Sequence, residues 1–141
     1  MKLSQDTPAI VTGGASGLGR ATAEAFAAAG VPVAIFDIND EAGNEVATAI
    51  GGTFHHVDIL DEESVVAGFE AARAAQGQER ICVHCAMAST RGKTLAYDKE
   101  AGGYKKLDTD TYARGVAGIL IASFRIASHA AHGMSNAEPM E

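Results

Sequence analysis

A glycine-rich turn between an apolar run and an alanine-rich amphipathic stretch constrains the fold of this chain most. Residues 12–19 read Thr-Gly-Gly-Ala-Ser-Gly-Leu-Gly, after the apolar run 9–11 and before a helical pattern that ends at Gly30. Glycine permits the positive φ values of a tight turn, and because it has no Cβ it lets a phosphate approach the backbone closely. A helix starting near Gly17 points its free N–H groups and the positive end of its dipole at such a phosphate. The order strand, glycine turn, helix therefore predicts a diphosphate cradle.

An acidic residue further along favours a dinucleotide over an isolated phosphate. A second apolar run, 33–36, is followed by Asp37, eighteen residues after Gly19. At the end of a second strand, a carboxylate can accept hydrogen bonds from the adenosine ribose of a dinucleotide. The same negative charge would repel a ribose 2′-phosphate, so the sequence favours NAD over NADP. The glycine pattern alone is weak evidence, because any glycine-rich turn can match it. The second apolar run and the acidic residue after it strengthen the prediction.

Size and charge narrow the class of protein. With 141 residues, 47% of them apolar and 21% charged, the chain can form one domain that buries a core without disulfides or metals. A formal charge of −7 argues against nucleic acid or an anionic membrane as the main partner. We expect a cytoplasmic protein, because the first strand starts by Ala9 without a signal segment and no apolar run reaches the length of a membrane span.

The potential metal ligands do not form a convincing site. Cys82 and Cys85 form a C-x-x-C pair, but the sequence has no second ligand pair at zinc-site spacing. We expect Cys82 to belong to the core, and we expect a reducing compartment. His129 and His132 are spaced to share one helical face, yet surface histidines are the simpler interpretation. No metal site is predicted.

Apolar runs alternate with helical patterns up to about residue 86, which is typical of βαβ units around a parallel sheet. The predicted strands lie near 8–12, 32–37, 52–57 and 80–86. The predicted helices lie near 17–29, 40–50 and 61–76. Asn39 or Asp40 is expected to cap the second helix, and Asp61 the third.

The second half of the chain is organised differently. The polar stretch 87–108 is predicted to be an inserted surface loop or a small hairpin. Helical periodicity returns at Thr111, and a strongly apolar helix is expected to run to about His132. The polar tail 135–141 is expected to be a loop.

Four segments together resemble the short-chain dehydrogenase/reductase family in its classical form. They are the turn 12–19, Asp37, Val-Asp-Ile at 57–59 and Ile-Cys-Val-His-Cys-Ala at 81–86. The turn, the Cys-Ala pair and the insert after it are most similar to the type II 3-hydroxyacyl-CoA dehydrogenases. The resemblance covers essentially the whole chain but only the amino-terminal portion of a family member. It implies a Rossmann-type α/β fold with a doubly wound parallel sheet, strand order 3-2-1-4, truncated after the helix that follows strand 4. Residues 1–141 would then be one incomplete NAD-binding domain.

The resemblance also implies cofactor contacts at particular residues. The diphosphate side of NAD would be contacted by Gly13, Ser16, Gly17, Leu18 and Gly19. Asp37 would hold the adenosine ribose. Asp58 would accept a hydrogen bond from the adenine amino group, and the Ile59 backbone would flank the base; alternatively, Asp58 caps a helix or closes a strand-end turn. Cys85 and Ala86 would lie beside the nicotinamide ribose.

Departures from the family pattern bear on activity. Met87 stands where the family has a glycine that keeps the cofactor cleft open, which would weaken cofactor binding. Ile119 stands at the position of the family's catalytic asparagine, and its side chain cannot form hydrogen bonds. The family's catalytic serine and Tyr-x-x-x-Lys pair lie beyond the matched segment. The chain has three tyrosines, Tyr97, Tyr104 and Tyr112, and none of them is followed four residues later by a lysine. We therefore predict no catalytic residue among the 141.

Two function hypotheses follow. In the first, the chain is part of an NAD-dependent oxidoreductase that transfers hydride between NAD and a secondary alcohol such as a 3-hydroxyacyl-CoA. In the second, it is a non-catalytic NAD-binding or oligomeric interaction module derived from a dehydrogenase. The insert contains a cluster of basic residues, Lys93, Lys99, Lys105 and Lys106. These lysines could bind the phosphates of an acyl-CoA. The alternative is that they lie on a solvated loop and bind no ligand.

The helix 111–132 corresponds, by the resemblance, to an oligomer-interface helix. A homo-oligomer is therefore expected through this helix. Its apolar surface is predicted to comprise Ile119, Leu120, Ile121, Phe124 and Ile126.

Overall fold

The structure, a computed structural model, describes residues 2–139. The first part of the chain alternates strands and helices: β1 Ala9–Thr12, α1 Gly17–Ala28, β2 Val33–Asp37, α2 Asp40–Ile50, β3 Thr53–His56, α3 Glu62–Gln76 and β4 Ile81–His84. The second part contains β5 Leu95–Asp98, β6 Gly103–Lys106, α4 Thr109–Val116, a π-helical segment Ala117–Ile121, and α5 Ala122–Ser135. No helix in the described part of the chain is long and apolar enough to cross a membrane.

Four strands form a parallel sheet in the order β3-β2-β1-β4. The predicted α/β class and strand order are therefore confirmed. In the register, Ala9 of β1 lies between Val33 of β2 and Ile81 of β4. β4 ends at His84 rather than at residue 86, so Cys85 and Ala86 follow the strand instead of ending it. Because all four strands are parallel, their carboxyl ends lie at one edge of the sheet.

Each face of the sheet is covered by helices. Side chains alternate along the strands, so Ile10 and Phe36 face one layer while Val11 and Ile35 face the other. The first layer contains α3 and α5, and the second contains α1 and α2. β1 and the apolar part of β2 are fully buried, which explains why each reads as a continuous apolar run rather than an alternating one.

The predicted helix starts agree with the observed caps. The side chain of Asn39 accepts a hydrogen bond from the Ala42 N–H at the start of α2. Asp61 accepts one from the Glu63 N–H at the start of α3. Each interaction satisfies one of the N–H groups that a helix leaves unpaired in its first turn.

The stretch 87–108 contains an antiparallel hairpin, the second of the two predicted alternatives. β5 and β6 pair with Tyr97 opposite Tyr104, and their rings lie 5.4 Å apart in an edge-to-face arrangement. Both tyrosines are largely exposed. The hairpin is thus a surface element with its own small aromatic contact.

The long helix starts two residues earlier than predicted, because Asp108 accepts a hydrogen bond of 2.7 Å from the Thr111 N–H. It continues through the π-helical segment to Ser135, three residues beyond the predicted end. The assignment of Ile126 to the exposed apolar surface is wrong: this side chain is fully buried against the sheet. Met140 and Glu141, the last residues of the predicted loop-like tail, lie outside the described residues.

Candidate dinucleotide-binding cleft

A cleft of about 710 Å³ opens where the strands of the sheet end and α1 begins. All ten predicted cofactor contacts line it: Gly13, Ser16, Gly17, Leu18, Gly19, Asp37, Asp58, Ile59, Cys85 and Ala86. Its volume falls in the range of about 300–1,000 Å³ that is usual for small-molecule sites. The structure therefore brings together every residue that the sequence assigned to the cofactor, whereas their binding roles stay predictions.

Two glycines allow the floor of this cleft to form. Gly13 has a φ of 68°, and a Cβ at this residue would lie 2.8 Å from the Ala86 nitrogen. A Cβ on Gly19 would fall well inside van der Waals contact with the Gly13 carbonyl oxygen. Because neither residue has a side chain, the turn, the first turn of α1 and the end of β4 can approach one another closely.

The amino terminus of α1 opens into the cleft. Ser16, the N-cap residue, has an extended backbone, and its side chain makes no capping hydrogen bond. The N–H groups of the first helical turn are therefore not occupied by the N-cap hydroxyl. Together with the helix dipole, they form a site suited to the oxygens of a phosphate.

Asp37 lies at the end of β2 and connects the strand to the glycine turn. Its Oδ2 atom accepts a hydrogen bond of 3.1 Å from the Ala15 N–H, and Oδ1 accepts one of 3.1 Å from the Asn39 N–H. The carboxylate is thus held in a fixed orientation at the cleft wall. Each oxygen has a further lone pair with which it could accept from a ribose hydroxyl.

Asp58 closes a turn after β3, as the structural alternative for this residue predicted. Its Oδ1 atom accepts a hydrogen bond of 2.9 Å from the Leu60 N–H, and its own N–H donates to the Ser64 hydroxyl. This turn also places the aspartate at the cleft wall beside Ile59. A structural role and an adenine contact are therefore compatible, because the turn occupies one carboxylate oxygen.

The floor of the cleft contains a hydrogen-bonded group that the sequence did not predict. The fully buried Thr12 places its Oγ1 atom 2.7 Å from His84 Nδ1, and the same oxygen accepts from the N–H groups of Cys85 and Ala86. Burial lowers the pKa of His84. The one signal available in the sequence was Thr12 itself, a polar residue directly after a buried apolar run.

The two departures from the family pattern lie at the mouth of the cleft. Met87 is 66% exposed and Ile119 is 48% exposed, and both line the cleft without closing it. Ser123, which the sequence did not single out, lines it too, and its hydroxyl donates to the Ile119 carbonyl oxygen at 2.6 Å. Among the described residues, no tyrosine or lysine lines the cleft. Tyr97 and Tyr104 instead lie on the hairpin.

Cys82 and His129, two of the potential metal ligands in the sequence, contact other parts of the fold. Cys82 is half-buried against the core, where burial raises the pKa of its thiol to about 12 and keeps it protonated at neutral pH. His129 forms a 2.6 Å contact with Glu62 at the start of α3. Within residues 2–139, no group of three or more histidine, cysteine or acidic side chains is arranged to hold a metal ion.

Comparison with known proteins relates this arrangement to a family. A family model described as enoyl-(acyl carrier protein) reductase matches residues 13–137. The 3-hydroxyacyl-CoA dehydrogenase type-2 of Drosophila melanogaster is 42% identical over 92 residues, which are 64% of this chain and 36% of that protein. The (+)-borneol dehydrogenase 1 of Salvia officinalis is 36% identical over 131 residues, covering 90% of this chain and 46% of that protein.

Solved structures agree. The crystal structure of 3-hydroxyacyl-CoA dehydrogenase type-2 from Mycobacterium avium superposes with a TM-score of 0.80 at 28% identity, over 100% of this chain and 54% of that one. The chain thus spans about half or less of the length of these relatives. The matched residues include the glycine turn, the cleft and the long helix. The chain therefore belongs to the short-chain dehydrogenase/reductase family.

Proposed function

We propose that this chain is the NAD-binding part of a dehydrogenase of the short-chain type. The observation that carries the proposal is that ten residues, drawn from four separate segments, gather in one cleft at the carboxyl ends of the strands. In open α/β sheets, this edge is where dinucleotides bind. The free N–H groups of α1 suit the diphosphate, and the fixed carboxylate of Asp37 suits a ribose.

We further propose that NAD, rather than NADP, is the cofactor. Asp37 presents a carboxylate at the position expected for the adenosine ribose. A 2′-phosphate there would bring two negative charges together, and such like-charge contacts cost several kcal/mol.

The reaction proposed is hydride transfer between NAD and a secondary alcohol such as a 3-hydroxyacyl-CoA. Support comes from the named activities of the relatives, which include 3-hydroxyacyl-CoA dehydrogenases. The catalytic serine, tyrosine and lysine would come from polypeptide outside these 141 residues, since no tyrosine or lysine of the described part lines the cleft. The exposed lysines of the insert, Lys93, Lys99, Lys105 and Lys106, would meet the phosphates of the acyl-CoA. The cytoplasmic location stays a prediction.

A fluorescence titration tests the cofactor assignment. The purified chain is titrated with NADH and, separately, with NADPH, and the nicotinamide emission is recorded. We expect saturable enhancement with NADH and an affinity for NADPH at least about tenfold weaker, because of the charge on Asp37. Absence of NADH binding at high protein concentration would contradict the assignment of the glycine turn and Asp37. Equal affinities would contradict the choice of NAD.

A turnover assay separates the cofactor role from catalysis. With NAD and 3-hydroxybutyryl-CoA, the 141-residue chain is expected to form no NADH above background. Turnover by this chain alone would contradict the placement of the catalytic groups outside it.

The alternative, a non-catalytic binding module, is favoured by the exposed Met87 and by Ile119 at the position of the family's asparagine. The intact mass of the protein isolated from its natural source decides between the two. A mass well above 14.5 kDa supports the dehydrogenase, whereas a mass near 14.5 kDa supports the module.

A further inference from the structure

The hydroxyl group of Thr12 connects three groups at the floor of the cleft. Its Oγ1 atom lies 3.2 Å from the Cys85 nitrogen, 3.1 Å from the Ala86 nitrogen and 2.7 Å from His84 Nδ1. The Cys85 N–H is shared with the Thr12 carbonyl oxygen, also at 3.2 Å. Thr12 is fully buried, so water does not compete for these contacts.

These contacts define where the hydroxyl proton lies. A threonine hydroxyl has one proton and two acceptor lone pairs. Backbone N–H groups can only donate, so Cys85 and Ala86 occupy both lone pairs. The hydroxyl must therefore donate its proton to His84 Nδ1. That nitrogen is consequently unprotonated, and the proton of the neutral ring is on Nε2.

We infer that His84 is a positioning residue whose neutral ring, accepting at Nδ1, fixes the Thr12 hydroxyl so that this group holds Cys85 and Ala86 at the floor of the dinucleotide cleft. Protonation of His84 would place two donors face to face at 2.7 Å and break the arrangement. The floor is thus linked to the protonation of one histidine. Only the effect on nucleotide affinity rests on the proposed function.

The surroundings of His84 contain few other titratable groups. Arg80, directly before β4, and Cys82, within β4, share an apolar groove of about 340 Å³ with His84. The residues that α5 contributes to that groove, Ile126, Ala127, Ala130, Ala131 and Met134, are uncharged. On the cleft side, the titratable residues are Asp37, Asp58 and Cys85. β1 contributes Thr12, which does not titrate.

The direction of the pH effect follows from burial. Desolvation lowers the pKa of His84 below the ordinary value of about 6.5. The folded protein therefore holds this ring neutral more strongly than the unfolded chain does. The arrangement is complete above about pH 6.5 and is lost as the pH falls through the lowered pKa of His84.

Nuclear magnetic resonance of the histidine rings tests the inference without any ligand. The His84 signals are assigned by comparison with the His84→Asn variant. At pH 7.5 we expect Nε2 to carry the proton and Nδ1 to give the signal of an unprotonated acceptor. A ring protonated at Nδ1, or a cationic ring at pH 7.5, would overturn the inference.

Three variants test the effect on binding by calorimetry with NAD at pH 7.5 and at a pH one unit below the His84 pKa, which a pH titration of the ring signals measures. Asparagine places its Oδ1 where the Nδ1 of histidine lies, so His84→Asn keeps an acceptor that does not titrate. His84→Leu removes the acceptor. His132→Asn, on the exposed end of α5, is the control for titration of an unrelated histidine.

We expect the affinity of the wild type and of His132→Asn to fall about fivefold or more at the lower pH, which corresponds to the loss of about one hydrogen bond. His84→Asn should change less than twofold between the two pH values, and it should bind more tightly than His84→Leu at pH 7.5. Equal loss of affinity in the wild type and His84→Asn would overturn the inference.

The role of His84 can still be decided if NAD does not bind or if one variant does not fold. If NAD does not bind the wild type at either pH, the proposed function fails, but the ring tautomer still decides the role of His84. If His84→Leu does not fold, Thr12→Val replaces it, because valine keeps the shape of threonine and removes the hydroxyl. Thr12→Val should bind more weakly at pH 7.5 and lose the pH dependence; a wild-type pH dependence in this variant would overturn the inference.

Discussion

The α-carbon of Gly19 lies against the carbonyl oxygen of Gly13, and this contact sets how closely α1 approaches the turn that precedes it. The glycine turn and Asp37 were indicated by their positions directly after apolar runs, whereas the other cleft residues were assigned by the family resemblance. The sequence did not indicate His84, because a histidine inside a strand carries no spacing signal and its partner Thr12 is 72 residues away. Long-range polar contacts of this kind depend on strand order, which must be known first.

Replacing Gly19 with alanine tests this close contact. The new methyl group would overlap the Gly13 carbonyl, so we expect Gly19→Ala to lower the free energy of unfolding by about 1 to 3 kcal/mol, as overpacking does. Gly103→Ala is the matched control, since no atom lies within 4 Å of its added Cβ. Urea denaturation measures both. Equal stability of Gly19→Ala and the wild type would contradict the claim that the Gly13 carbonyl leaves no room for a methyl group at residue 19.

Removing the charge of Asp37 tests its role toward the ribose. Hydrogen bonds to a charged group contribute about 1.5–3 kcal/mol, so Asp37→Asn should weaken NADH binding about tenfold or more. The preference for NADH over NADPH should also shrink, because the repulsive charge is gone. Asp6→Asn, an exposed residue with the same change of charge, is the control for net charge. Fluorescence titration gives both affinities, and an unaltered NADH affinity in Asp37→Asn would contradict the assignment.

At the scale of helices and strands, the sequence predicted the ends of the elements in the βαβ part to within one or two residues. The reason is that capping residues, glycines and apolar runs mark where these helices and strands begin and end. The second half was predicted less well. Tyr97 and Tyr104 stabilise a hairpin that composition alone could not separate from a loop. The π-helical segment 117–121 has no capping side chain, and its one glycine, Gly118, does not distinguish a π-helical from an α-helical turn. Ile126 was misplaced because apolar residues lie on several sides of this helix, so the pattern does not show which side faces the sheet.

One ion pair connects α3 with the approach to β4. Glu79 is 1% exposed, and its carboxylate accepts hydrogen bonds of 2.9 and 2.7 Å from the Arg73 guanidinium. The hydrogen bond to Glu79 is the main cause that raises the pKa of Arg73. Arg73 also donates to the His129 carbonyl oxygen and lies over the Phe69 ring, so the pair ties α3 to α5 as well.

Breaking this pair should destabilise the fold strongly. Glu79→Ala leaves the guanidinium without its partner in a largely buried place, for which we expect a loss of roughly 3 kcal/mol. Glu24→Ala removes one partner of the exposed pair with Arg20 and should hardly move the urea midpoint. A Glu79→Ala midpoint as high as that of Glu24→Ala would contradict the structural role of the buried pair.

At the scale of the whole molecule, the parallel order β3-β2-β1-β4 leaves β4 at one side of the sheet and the long helix beside it. The order was predictable because the family resemblance implies it. The helix presents an exposed apolar strip formed by Ile119, Leu120, Ile121 and Phe124. Contiguous apolar surface of this kind marks interaction sites in soluble proteins. We propose that a second copy of the chain covers this strip in a homo-oligomer.

Charged substitutions in the strip test this proposal. Leu120 and Phe124 are 68% and 73% exposed, so replacing both by glutamate should leave the fold intact while preventing association. We expect the wild type to elute as an oligomer and Leu120→Glu/Phe124→Glu as a monomer in size-exclusion chromatography with light scattering. Tyr104→Glu, an exposed aromatic residue on the hairpin, should remain oligomeric. A monomeric wild type would contradict the proposal.

Hydrogen exchange of the chain with and without NAD tests the central claim most directly, because it locates the nucleotide as well as detecting it. The account predicts slower exchange in the turn 12–19, at 37–39, at 58–60 and at 85–87, with no change in the hairpin 95–106. Protection that is absent from the turn, or that is confined to the hairpin, would contradict the claim that this cleft is a dinucleotide site.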